Sequence, residues 1–66
     1  MYVQVFTVDG RIIQSQDAKE VSKKEVEEIK SLFRKFRQLE YISLDLPGGT
    51  ETLLNPQNVV EIRFCE

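Results

Sequence analysis

The sequence has no histidine, one cysteine, three glycines and two prolines, and its apolar residues form no long uninterrupted run. Without histidine, the commonest general base, the imidazole metal ligand and the Ser–His nucleophile pair are all missing. A single cysteine, Cys65, can neither close an internal disulfide nor build a thiolate zinc site. A reactive thiolate needs a nearby cation, and the sequence neighbour Glu66 is an anion, so Cys65 reads as an incidental thiol. No apolar stretch nears the roughly 20 residues that span a bilayer, and no basic segment leads into an apolar leader. The expected setting is a reducing cytoplasm, with no membrane association. Met1 opens the chain without a tag, as in a complete small gene product. Catalysis, a cofactor, a bound metal and a small-molecule substrate are not expected.

What is present is ordinary globular composition, 41% apolar and 30% charged. At 66 residues the chain is a single α+β domain, 1–66, near the lower limit for folding without metal or disulfides. Marginal stability is expected, with help from a partner or a second copy. The net charge of −2 is unevenly spread. Residues 1–20 carry two bases and three acids, residues 21–40 six and four, and residues 41–66 one and four. An acidic chain is a poor match for binding to phosphate backbones.

"YVQVFTVDGRIIQSQ" holds Asp9-Gly10 between two β-rich runs, the signature of a two-residue type I′ hairpin. That loop sets Phe6 opposite Ile13 and Thr7 opposite Ile12. One face then carries Tyr2, Phe6, Val8 and Ile13, and the other Val3, Val5, Thr7 and Ile12. Both faces are apolar, which suits a strand covered on both sides or one with a contact surface. "VSKKEVEEIKSLFRKFRQLE" is the only helix. Ser22 and Glu25 form a capping box, and Val21 with Val26 a hydrophobic staple. Val26, Ile29, Phe33 and Phe36 recur at helical spacing, widened by Leu32, and acids precede bases as the helix dipole favours.

The last third returns to period two. Ile42, Leu44 and Leu46 alternate with polar positions, as do Val60, Ile62 and Phe64, which gives strands with one buried face. Between them "LPGGTETLLNPQN" reads as a turn, a strand and a break. A Gly48-Gly49 loop puts Leu44 opposite Leu53, whereas a Pro47-Gly48 loop would oppose Leu44 to Glu51, so the first is preferred. The helix is expected on the face formed by Ile42, Leu44, Val60, Ile62 and Phe64.

The order is ββαβββ, a four- to five-stranded sheet packed on one helix. In element order and lengths this resembles the ubiquitin-like β-grasp, which implies a mixed sheet; an antiparallel meander is the competing topology. Modifier and sulfur-carrier members of that family end in Gly-Gly. Here Gly48-Gly49 is internal, so the resemblance implies only the partner-binding use of the fold.

Few segments carry chemistry. Glu25, Glu27 and Glu28 are oxygen donors of the kind hard cations take, yet Glu25 is needed as a cap and the others belong to a solvated first turn. "GGT" lacks the lysine and following helix of a phosphate-binding loop. "KSLFRKFR" groups Lys30, Arg34, Lys35 and Arg37 without an intervening acid, either a site for an anionic partner or a solvated, dipole-complementing helix end. Phe33 and Phe36 read as core rather than as base-stacking platforms.

The expected function is a small non-catalytic protein-binding module, an accessory factor or a phage-type inhibitor of a host enzyme. The alternative is a nucleic-acid binder using the late-helix bases. The helix can cover only one face of the first hairpin, so either Val3, Val5 and Ile12 or else Tyr2, Phe6 and Val8 remain exposed. The candidate partner-binding residues are Tyr2, Val3, Val5, Ile12, Lys30, Arg34, Lys35 and Arg37. The same surface would serve self-association.

Overall fold

The computed structural model describes all 66 residues. In chain order they form β1 (Tyr2–Thr7), β2 (Ile12–Gln14), α1 (Lys23–Arg34), a 3₁₀ turn (Phe36–Gln38), β3 (Ile42–Asp45), β4 (Glu51–Leu54), a second 3₁₀ turn (Pro56–Asn58) and β5 (Val59–Cys65). The α+β class and the ββαβββ order follow the sequence reading. The five strands divide into a sheet of order β2-β1-β5 and a ribbon β3-β4. Every pairing is antiparallel, so the mixed sheet implied by the β-grasp resemblance is not formed.

Both hairpins differ from expectation by one residue, for one reason: each loop has three residues, not two. Thr7 N–H donates to Arg11 C=O at 3.0 Å, and Gly10 N–H donates to Thr7 C=O at 3.0 Å. A type I′ turn needs positive φ at Asp9 as well as Gly10, but only glycines adopt positive φ here, Gly10 at 84°. The loop is therefore Val8-Asp9-Gly10, and the register becomes Phe6↔Ile12 and Val5↔Ile13. Ile12 thus joins the Phe6 face and Ile13 the Val5 face. Thr7 fixes this loop: its buried hydroxyl contacts the Asp9 carboxylate and accepts the Arg11 N–H at 3.1 Å. In the second hairpin Leu46 N–H donates to Thr50 C=O at 2.6 Å across Pro47-Gly48-Gly49. Leu44 consequently opposes Thr52, neither Leu53 nor Glu51, and Leu53 turns outward.

β5 carries a third shift. Between Phe6 and Thr7 the pairing jumps from Glu61 to Val59, a β-bulge that leaves Val60 without a partner on β1. Val59 is 1% exposed and Val60 56%, so Val59 and not Val60 faces the helix.

The helix begins as the sequence requires, with Glu25 N–H donating to Ser22 Oγ at 3.2 Å. The Glu25 carboxylate accepts from the Ser22 hydroxyl at 3.3 Å and not from the Ser22 backbone N–H, so only the serine half of the expected capping box forms. The helix ends earlier than its apolar stripe, at Arg34. Phe33, Phe36 and Leu39 follow a spacing of three, and a 3₁₀ turn brings such residues to one side. Phe36 and Leu39 thereby pack against the core that contains Phe33. That core joins Val3, Val5 and Val59 of the three-stranded sheet to Ile42, Leu44 and Leu54 of the ribbon. Phe33 meets Phe64 edge-to-face, with ring centres 6.0 Å apart. No helix is long and apolar enough to cross a membrane.

Candidate binding surface

The inner face of the three-stranded sheet is used by the core, so its outer face is the surface left over. Alternation along β1 sends Val3, Val5 and Thr7 inward and Tyr2, Gln4 and Phe6 outward. Val3 and Val5, 4% and 0% exposed, are therefore not available to a partner, contrary to expectation. Tyr2 and Phe6 keep partial exposure. The one-residue change in register puts Ile12, 61% exposed, directly opposite Phe6 instead of beside Val5.

Across the face the rows are Ile12, Phe6 and Glu61, then Gln14, Gln4 and Arg63, then Tyr2 and Cys65. Polar contacts tie these rows. Gln4 Nε2 donates to Gln14 Oε1 at 3.3 Å, and Cys65 Sγ donates to Gln4 Oε1 at 3.8 Å. Arg63 pairs with Glu61 and lays its guanidinium over the Phe6 ring, 4.9 Å from its centre. The Cys65 side chain beside the Tyr2 hydroxyl raises the phenol above its ordinary value, first by hydrogen bonding and then by charge. The result is an apolar pair, Phe6 and Ile12, separated from Tyr2 by the polar row of Gln14, Gln4 and Arg63. Cross-strand aromatic and β-branched pairs of this kind also contribute to sheet stability.

The basic residues of the late helix have different surroundings. Lys30 Nζ lies 3.1 Å from Glu66 Oε1. Arg37 donates weakly to Val59 C=O at 3.5 Å and stacks over Phe36 at 5.0 Å. Arg34 and Lys35 are exposed and form no ion pair. Two of the four are thus held by this chain's own groups.

Two open clefts flank the helix. One of about 520 Å³ lies between its first turn and the chain termini, lined by Met1, Ala18, Val21, Val26, Glu27 and Glu66 among others. The other, about 390 Å³, lies between its end and β3, lined by Leu32, Phe33, Leu39 and Tyr41 among others. The first also carries Lys19 and Lys23 beside its two glutamates, a mixed-charge rim, and nowhere do three carboxylate or thiol side chains gather closely enough to hold a metal.

Arg63, Gln4 and Gln14 belong to the outer face but not to the expected set. Period-two alternation in β5 does mark Arg63 as outward. Its place beside Phe6 depends on β5 pairing with β1, which connects residues far apart in sequence. Comparison of the chain with known protein families, with curated proteins and with solved structures finds no match.

Proposed function

We propose that this chain is a small non-catalytic module that binds another protein through the outer face of its three-stranded sheet. The observation that carries this reading is the outer face opposite the core, where exposed Ile12 and half-buried Phe6 form an apolar pair with Tyr2 beyond the Gln4 row. A rigid sheet offers such a face to a partner at little entropic cost, and partly exposed aromatics beside an arginine match the residue types that dominate binding energy. An accessory factor or inhibitor of a larger enzyme is the role such a surface suits.

The second reading, an anionic partner at the helix end, draws on Arg34 and Lys35, which lack ion pairs. It is weakened by the engagement of Lys30 and Arg37 and by the acidic last third of the chain. Affinity capture from a cell extract, with mass spectrometric identification, separates the two. Ile12→Lys is expected to lose the captured protein, while Arg34→Glu with Arg37→Glu retains it. The reverse pattern selects the helix end. For nucleic acid, the expected result is no measurable binding of duplex or single strand at physiological salt.

A further inference from the structure

β5 is the longest strand and lies at the edge of its sheet. Which of its backbone groups face outward follows from β1. Val3 N–H and C=O are bonded to Ser15, and those of Thr7 to Arg11 and Gly10, so these residues turn toward the β2 side. Tyr2, Gln4 and Phe6 therefore turn toward β5, where they meet Cys65, Arg63 and Glu61. The N–H and C=O groups of Ile62 and Phe64 are left pointing to the open edge, and no other element bonds to them. An unpaired edge of this length is a template for a further strand.

We infer that the strand which completes this edge is β5 of a second copy, paired antiparallel about a two-fold axis at Ile62. Antiparallel pairing brings outward-pointing backbone groups together only when the axis passes through a residue. An axis at Glu61 opposes two carboxylates, and one at Arg63 opposes two guanidinium groups, both unfavourable across a ladder. An axis at Ile62 sets Glu61 of each copy against Arg63 of the other. It does so in the non-hydrogen-bonded rows, where side chains approach most closely. Ile62 then exchanges both backbone bonds with Ile62 of the second copy, and the regular ladder ends at the Val60 bulge on either side. The segment Glu61-Ile62-Arg63 is thus complementary to itself when reversed, as an isologous interface requires.

The surface area points the same way. The chain exposes 4877 Å² at 7.7 kDa, against roughly 4300 Å² for folded monomers of that mass. The excess is of the order of one partner's share of a small interface. It accompanies a flat shape, 32 × 26 × 17 Å. This inference concerns the edge of β5 and stands independently of partner binding at the outer face.

Sedimentation equilibrium of the purified chain from about 1 µM to about 1 mM tests it. A monomer–dimer equilibrium within that range is expected, and an ideal monomer throughout would overturn the proposal. Glu61→Arg and Arg63→Glu place like charges opposite one another, so each alone is expected to dimerise about tenfold more weakly. An equimolar mixture of these two variants, and the doubly swapped chain, are expected to regain the dimer. Unchanged association of both single variants, or no recovery on mixing, would contradict the register. Ile12→Lys, away from the edge, is expected to leave association intact, so failure of the edge and failure of the outer face read out separately. In a mixed-isotope sample, an intermolecular contact between the Glu61 and Arg63 α-protons fixes the axis at Ile62. Contacts from any other strand would contradict it.

Discussion

Ile12 and Leu53 are almost equally exposed, 61% and 59%, each pointing outward from one of the two sheets. Their settings differ. Leu53 sits opposite Ser43, on a ribbon face that also carries Asp45 and Glu51. Ile12 sits opposite Phe6, whose ring is covered by Arg63. Single exposed apolar residues are ordinary on a protein surface, whereas a connected row is not. Exposure alone does not distinguish the two residues, but their cross-strand neighbours do. The two-stranded ribbon is amphipathic in the usual way, while the three-stranded sheet is partly apolar on both faces.

The sharpest way to break this contrast is to show that the inner and outer faces have been exchanged. Val5→Lys puts a charge at a fully buried position and is expected to unfold the domain, seen as loss of near-UV and far-UV circular dichroism. Ile42→Ala, also in the core, is expected to cost about 2–5 kcal/mol in urea titration. Tolerance of both would mean that the helix covers the other side. Next in size is the loop that decides where Ile12 points. An added Cβ at Gly10 meets no atom within 4 Å, so Gly10→Ala tests φ of 84° alone. It is expected to cost about 1–2 kcal/mol by thermal unfolding, and a neutral result would argue against a positive φ at Gly10.

Smaller effects come from titration. The Thr7 hydroxyl, and then Arg11, hold the Asp9 carboxyl below its ordinary value. A depressed folded value means that this contribution is present above about pH 4 and is lost as pH falls through the folded value. Asp9→Asn is expected to flatten that acid limb of a stability-versus-pH curve. At the other end, the raised Tyr2 phenol contributes stability below about pH 10 that is lost as pH rises through the folded value. In a Tyr41→Phe background, phenolate absorbance is expected to titrate earlier once Cys65→Ala removes the neighbouring thiol. An unmoved curve would separate Tyr2 from Cys65.

The sequence was most legible where the signal is local. Ser22 and Glu25 mark the helix start, period two marks each strand, and the helix and strands form as read. What it hid was decided by a single residue at a turn or bulge. Asp9-Gly10 and Gly48-Gly49 match two-residue loops by composition. One added residue in each loop changes every cross-strand partner in both hairpins. The bulge that exchanges Val59 for Val60 leaves no mark in a run of two valines. The outer face was half legible. Tyr2 and Ile12 stand on it, but Val3 and Val5 do not, because a hairpin apolar on both sides cannot state which side the helix covers.

The outer face with Phe6, Ile12 and Tyr2 is proposed as a protein contact surface, and the equally exposed leucine on the ribbon is not. Ile12→Lys and Leu53→Lys, compared with the parent chain in the same capture experiment, test it most directly. Both variants are expected to stay folded by circular dichroism, within about 0.5 kcal/mol of the parent in urea. The account predicts that Ile12→Lys loses the captured protein and Leu53→Lys keeps it. Equal retention by both variants, or loss confined to Leu53→Lys, would contradict it.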